Sequence, residues 1–301
     1  MPGILYVVAT PIGNLNELTP RAFEVLGQVD LIAAEDTRNT GMMLAKLGKA
    51  DDKFSSCRKF TSYHKFNEFQ KKDAIIEKLQ GGQSVALVSD AGTPCISDPG
   101  FLLVRAAADA EIPVVAVGGP CAVTTALSVS GFPGEPFLFV GFLPRKRTAI
   151  VDIFVKAAVP CILFYESPKR IIAVVNLLAE YFPGIQLCLC NDLTKKYERI
   201  YRGVPGEVLN ELANNPHCEK GEYTCVVYMP GGSADEGSSK NNQPDKDTSP
   251  SLESQLTDIM AKTGCTLKEA VKVLSEKQVS EKRVTKKEIY AASLRLKGMF
   301  V

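Results

Sequence analysis

The chain has 301 residues, 45% of them hydrophobic and 23% charged, with a formal net charge of +1, nine Cys and no Trp. That apolar fraction excludes a chain disordered throughout, and the composition excludes collagen-like and coiled-coil proteins. The length is that of two domains, or of one large domain with an appendage.

No apolar run approaches the roughly 18 residues of a membrane helix. Met1-Pro2-Gly3 lacks the basic stretch of a signal peptide, so the apolar run 4–9 is expected as a first strand. Further β-rich apolar runs follow at 31–34, 85–88, 114–117, 137–140, 161–165, 187–190 and 224–229. Continuous runs of this length fit strands buried on both faces. Thr19-Pro20, Asp98-Pro99 and Ser167-Pro168 each place a capping side chain before a Pro suited to a first helical turn. The alternation predicts α/β layers on mostly parallel sheets. The Gly- and Pro-rich segment 131–136 interrupts it, and predicts two α/β domains, 1–118 and 119–230.

Residues 231–251 are rich in Gly, Ser, Asn, Asp and Pro, carry a net −2, and are expected as a flexible linker. Residues 252–301 hold ten Lys/Arg against six Asp/Glu, a net +4. Their apolar spacing predicts three short helices in a small all-α, helix-turn-helix-like module. The first stops at Gly264, and capping boxes at Thr266/Glu269 and Thr285/Glu288 open the others.

Open α/β sheets bind ligands beyond the carboxyl ends of their strands. The segments there are Thr10-Pro11-Ile12-Gly13-Asn14, Glu35-Asp36-Thr37-Arg38, Ser89 through Gly100, Gly118-Gly119-Pro120-Cys121-Ala122, Tyr165-Glu166-Ser167 and Asn191 to Lys196. Asp90 stands at a strand end and is the better ligand candidate, whereas Asp98 is expected to cap a helix. None of these loops is a dinucleotide fingerprint or a P-loop. His64 and His217 are the two histidines, which leaves little for a triad or a His-based metal site. His64 lies in a polar loop and is expected to face solvent or substrate. An odd number of Cys does not form a disulfide scaffold, and Cys161, Cys188, Cys190 and Cys225 lie in apolar runs, which points to a reducing cytoplasm. Cys188 and Cys190 alternate along one strand and are expected on opposite faces, unable to chelate a metal together. No metal is expected.

Together the ordered loops, from Leu5-Tyr6-Val7-Val8-Ala9-Thr10-Pro11-Ile12-Gly13-Asn14 through Ala33-Ala34-Glu35-Asp36-Thr37-Arg38, Ser89–Gly100, Gly119-Pro120-Cys121-Ala122 and Phe164-Tyr165-Glu166-Ser167, closely resemble a known family over residues 3–230. It is the small-subunit ribosomal RNA methyltransferases of the tetrapyrrole-methylase-like (class III) superfamily. The resemblance implies two α/β domains with S-adenosylmethionine in a cleft between them, and a homodimer. It implies methylation of the ribose 2′-oxygen of a cytidine in 16S rRNA, near the decoding centre of the small ribosomal subunit. Pro11, Ser89, Asp90, Ala91, Thr93, Cys121, Ala122, Tyr165, Glu166, Leu193, Gly221 and Glu222 fall where the superfamily contacts the cofactor. Asp36 is a candidate base, with Arg38 and Lys195 as candidates for stabilising the alkoxide or holding phosphate. The loops 36–38 and 64–67 would face RNA. Many members carry Arg-Glu where this chain has Asn191-Asp192. The alternatives are a small-molecule methylase of the same fold and a non-catalytic ribosome- or RNA-binding protein.

Overall fold

The computed structural model describes residues 1–47, 59–230, 252–280 and 286–299. It divides into two compact units. One holds Met1–Thr125 and Asp192–Arg199, and the other Ala126–Asn191 and Ile200–Val301. The division thus falls later than the expected boundary after residue 118, and the chain returns to the first unit for one short segment.

The first unit is built from β1 (Leu5–Val8), α1 (Pro20–Gln28), β2 (Leu31–Ala34), α2 (Thr37–Leu47), β3 (Lys59–Ser62), α3 (Glu68–Gln80), β4 (Val85–Val88), α4 (Phe101–Asp109) and β5 (Val114–Val117), with α5 (Ala122–Ser130) leading out of it. The sheet runs β3-β2-β4-β1-β5, and every pairing is parallel. Strand side chains alternate between two cores. Leu5, Ala33, Val85 and Leu87 pack with Ile75, Leu79, Leu103 and Ala107 of α3 and α4. Val8, Ile32, Ala86 and Val88 pack with Ala22, Leu26 and Leu44 of α1 and α2. Strands covered on both faces carry the unbroken apolar runs expected of them. β3 does not: Lys59-Phe60-Thr61-Ser62 is a half-exposed edge strand, too polar to register as an apolar run.

The second unit holds β6 (Phe137–Phe142), α6 (Arg147–Lys156), β7 (Cys161–Glu166), α7 (Pro168–Tyr181), β8 (Gln186–Asn191), β9 (Arg199–Gly203), α8 (Pro205–Ala213) and β10 (Tyr223–Tyr228), in sheet order β6-β7-β10-β8-β9. This sheet corrects the expectation of parallel strands. β6 and β7 are parallel, but β10 lies antiparallel to both β7 and β8. An apolar run reports burial on both faces and is silent on a neighbour's direction. Cys188 and Cys190 are also corrected: residues two apart on a strand share a face, and their sulfurs lie 3.8 Å apart, both buried. No group of three or more His, Cys, Asp or Glu among the described residues is placed to hold a metal ion. No described helix is long and apolar enough to cross a membrane.

Of the three expected caps, Thr19 accepts the Ala22 N–H at 3.1 Å. Ser167 makes no side-chain cap, and α4 begins after Gly100, so Asp98 caps nothing. The chain's last helices are α9 (Leu252–Thr263), α10 (Leu267–Ser280) and α11 (Lys286–Met299), closed around Leu256, Ala270, Leu274, Ile289 and Leu296. Gly264 ends α9 with φ +67, and Thr266 and Glu269 exchange the hydrogen bonds of a capping box. These helices do not form a unit of their own: α11 packs on α6 and α7, with Leu294 against the second sheet's core. The linker at 231–251 and Thr285 lie outside the described residues.

Candidate cofactor and substrate site

In the first sheet β1 and β4 are neighbours. Chain continues from β1 into α1 on one face, and from β4 into α4 on the other. Adjacent strands leaving toward opposite faces mark a topological switch point, and their diverging loops open a crevice at the carboxyl ends. Three loops are stitched together there. Thr10 and Gly92 form a bridge, with N···O distances of 2.9 and 3.0 Å. The buried Thr10 hydroxyl donates to the Ser89 carbonyl at 3.2 Å. Thr93 donates to the Pro120 carbonyl at 3.0 Å, which adds the loop after β5. Gly92 has φ +79, so only glycine makes this turn without strain. Past Gly118, where an added Cβ would meet nothing within 4 Å, α5 opens at Ala122, and its first N–H groups lack intrahelical partners.

The returning segment 192–199 docks onto the loop after β1. Thr194 Oγ1 accepts the Asn14 N–H at 3.1 Å. A Cβ on Gly13 would lie 2.9 Å from the Leu193 carbonyl oxygen, so this glycine is required by close approach. Asp192 and Thr194, on either side of buried Leu193, have φ +53 and +63. The 89–100 loop repeats the pattern, with Cys95 at φ +68 and Ser97 at +73. Non-glycine residues held at positive φ cluster at functional sites.

Asp36 and Arg38 form one tight unit. Arg38 Nη2 lies 2.6 Å from Asp36 Oδ2, and the Arg38 N–H donates to Oδ1 at 2.8 Å. These bonds hold the Asp36 carboxyl far below the usual carboxylate range, which leaves it a feeble proton acceptor. Asp90 is exposed at the β4 end. Its Oδ1 accepts the Asp36 N–H at 3.1 Å and its Oδ2 accepts from Asn39 at 2.8 Å. A carboxylate offers about four acceptor sites, so capacity remains for a ligand. Burial, with Glu35 and Asp90 nearby, pushes the Asp98 carboxyl up to about 6. Lys195 pairs with Asp192 at 2.9 Å.

The remaining expected contacts lie in the second unit, at one end of its sheet. Antiparallel register sets Tyr223 opposite both Glu166 and Asn191, so Tyr165-Glu166, Asn191 and Gly221-Glu222 gather at that end. The Glu166 side chain is fully buried. Its Oε1 accepts the Ser167 N–H at 2.7 Å, and Arg170 Nη2 stands 3.4 Å from Oε2. Burial pushes this carboxyl up, against the pull of those two partners. Asn191 Nδ2 donates to the Lys220 and Glu222 carbonyls at 3.1 and 3.4 Å, pinning a turn in which Gly221 has φ +81. That supporting role was not read from the sequence, which marks Asn191 only as a departure from the family. His64 is half-buried, with Asn67 Nδ2 3.1 Å from its Nε2.

Pro11, Ser89, Asp90, Ala91, Thr93, Cys121, Ala122 and Leu193 thus sit in the stitched loops of the first unit, with Asp36, Arg38 and Lys195 in its neighbouring turns. Tyr165, Glu166, Gly221 and Glu222 belong to the second.

Residues 4–209 match the model of the tetrapyrrole (corrin/porphyrin) methylases. The chain is 45% identical to ribosomal RNA small subunit methyltransferase I of Vibrio cholerae, over 75% of this chain and 77% of that protein. It is 37% identical to the Synechocystis protein of the same name over 98% of this chain and 99% of that one, a match that extends through the last helices. Among solved structures, uroporphyrin-III C-methyl transferase from Thermus thermophilus, complexed with S-adenyl homocysteine, aligns with a TM-score of 0.51 at 16% identity, covering 75% of this chain and 97% of that one. Diphthine synthase aligns at 0.58 and 13% identity, covering 75% and 90%. The solved structures share the fold, the curated relatives are 37–45% identical over three quarters or more of the chain, and the chain belongs to the tetrapyrrole methylase family as a member of its ribosomal RNA small subunit methyltransferase I group.

Proposed function

We propose that this chain is an S-adenosylmethionine-dependent methyltransferase acting on the ribose 2′-oxygen of a cytidine in 16S rRNA, near the decoding centre of the small ribosomal subunit. The observation that carries the reading is the 37% identity with the Synechocystis ribosomal RNA small subunit methyltransferase I along 98% of the chain. The chemistry of the stitched loops fits the cofactor. Exposed backbone at Ala91, Gly118 and Gly119 suits hydrogen bonding to a nucleoside, and the Asp90 carboxylate suits hydroxyl or ammonium donors. When bound, S-adenosylmethionine supplies an electrophilic methyl group.

The chain's own residues hold and align. Fixing two reactants in line can lower a barrier by up to roughly 7–11 kcal/mol. Within the first unit, the bridged loops and the strained 95–97 and 192–194 turns serve that role. Asp36 serves to orient Arg38, and Arg38 and Lys195 offer positive charge to phosphate or to a developing alkoxide. Asp98, with its carboxyl raised to about 6, is the carboxylate better matched to take a proton near neutrality. A second copy suits the apolar side chains left exposed on edge strands, Val114 on β5 and Phe137, Leu138 and Phe142 on β6. The work is proposed to take place in the cytoplasm.

Methyl transfer from labelled S-adenosylmethionine to unmodified small subunits, mapped by nuclease digestion and mass spectrometry, tests the reading. A single 2′-O-methylcytidine near the decoding centre is expected. No incorporation into subunits or free 16S rRNA, with cofactor binding intact, would overturn it in favour of a small-molecule methylase or a non-catalytic binder.

Asp98 makes a separate prediction. Its raised carboxyl favours the fold while protonated, and that contribution is lost as pH rises from about 4 through 6. Asp98→Asn is therefore expected to match the parent's stability at pH 4. Above pH 6 it should exceed it by about 1–2 kcal/mol, after discounting for partial exposure, while turnover falls. Thermal melts across that pH range check this. A variant less stable than the parent at pH 7 would show that the ionised carboxyl is favourable.

A further inference from the structure

The first unit exposes two phenylalanines three residues apart, Phe66 at 84% and Phe69 at 74%, and a third, Phe101, at 59%. Single exposed apolar residues need no explanation, but a cluster does. Phe66 stands on a turn that is held rigidly. The Asn67 side chain accepts the His64 N–H at 2.9 Å and donates to the Ser62 carbonyl and hydroxyl at 3.2 Å. The Asn67 and Glu68 N–H groups both donate to the His64 carbonyl at 2.9 Å. Phe69 lies in the first turn of α3, and Phe101 opens α4. The Gly100 N–H donates to Glu68 Oε2 at 3.4 Å, drawing the two helix starts together at the carboxyl end of the sheet.

Each of the two most exposed rings carries a lysine. Lys65 Nζ lies 5.2 Å from the Phe66 centroid and Lys72 Nζ 5.5 Å from that of Phe69. Asp73 pairs with Lys72 at 2.8 Å and Glu68 accepts from Gly100, so Lys65 over Phe66 is the cation offered to phosphate. The cores of protein–protein interfaces are depleted of lysine, so rings interleaved with lysines are poorly suited to a protein partner. Flat faces with cations at their edges match stacked bases followed by phosphates, the means by which unpaired nucleic acid is held.

We propose that Phe66 and Phe69, with Lys65, form a platform on which unpaired bases of the RNA substrate stack. The platform holds the strand by ring faces and charge, without reading sequence. It rests on the proposed RNA substrate, and its test separates the two.

The test measures binding of a short fluorescent oligocytidylate RNA, and of the same strand in a duplex, by anisotropy. Melting temperature, S-adenosylmethionine affinity and methyl transfer to small subunits are followed alongside. The rings are exposed, so Phe66→Ala/Phe69→Ala is expected to melt and bind cofactor as the parent does. Its affinity for the single strand is expected to fall at least tenfold, with a rise in KM for subunits. Phe66→Tyr/Phe69→Trp is expected to restore both, and Lys65→Gln to flatten the salt dependence of binding. A double-alanine variant that binds the oligonucleotide like the parent overturns the platform, even if its subunit activity is lost, since the rings would then meet a ribosomal protein. Tight single-strand binding that depends on the rings, in a parent that methylates no ribosomal RNA, would uphold the platform and refute the rRNA reading alone.

Discussion

Gly13→Ala is expected to leave the fold intact and to cut methyl transfer by about a hundredfold. The glycine's backbone angle is ordinary, so the effect comes from space alone. The new Cβ would stand 2.5 Å from Lys195 Cγ, 2.8 Å from Thr194 Oγ1 and 2.9 Å from the Leu193 carbonyl oxygen. The lysine stem can swing away, but the carbonyl belongs to a loop already held between two residues at positive φ. Relief therefore means moving the 192–199 segment off the loop after β1 and breaking the bond from the Asn14 N–H to Thr194. A misplacement of about 1 Å at a site that works by alignment costs roughly two orders of magnitude. Turnover and cofactor affinity, measured beside a thermal melt, decide the matter. A variant with parental turnover would show that the docking of 193–195 does not matter to the chemistry.

Arg170→Met is expected to be the most destabilising exchange outside the apolar core. Arg170 donates to the Leu143 and Pro144 carbonyls at 3.2 and 2.8 Å, holding the chain between β6 and α6 against α7. It is also the cation beside the fully buried Glu166 carboxyl. Removing one partner of a buried pair costs roughly 3–5 kcal/mol, because the other charge is left without compensation. At about 2–4 °C per kcal/mol, the melting temperature should drop by about 6–20 °C near neutral pH. The deficit should shrink in acid. Burial already raises the Glu166 carboxyl, the loss of Arg170 raises it further, and once protonated the group no longer needs a cation. Melts of parent and variant from neutral to acid pH test both statements. A deficit independent of pH would mean that the carbonyl contacts, and not the ion pair, carry the loss.

Much of the fold was legible because burial leaves a mark on composition. Val85–Val88 and Cys161–Glu166 are covered on both faces and read as strands at sight. Lys59–Ser62 and Arg199–Gly203 passed unseen because an edge strand needs no apolar run. Strand direction was equally hidden: Tyr223–Tyr228 is as apolar as its neighbours, yet runs against both. Cys188 and Cys190 share a face for a simpler reason, since a period of two returns the side chain to the same side.

The candidate site divides along the same line. Family resemblance placed the loops, and their polar residues advertised them. It did not show that Thr93 ties one loop to another, that Asn191 supports the Gly221 turn, or that Asp36 is already engaged by its own arginine. Nor does Asp98, written before a proline like any cap, announce that its helix starts later and that its carboxyl is held among other acids.

By itself, then, the sequence determined the strand–helix alternation, the order of the loops and the family, because these are local in the chain or inherited along it. Tertiary structure alone decided the antiparallel β10, the return of 192–199 to the first unit, the strained turns and the upward pull on the Glu166 and Asp98 carboxyls. Each of these depends on groups far apart in sequence, on which backbone approaches which and on how much water is left beside a charge, and no single stretch of chain records that.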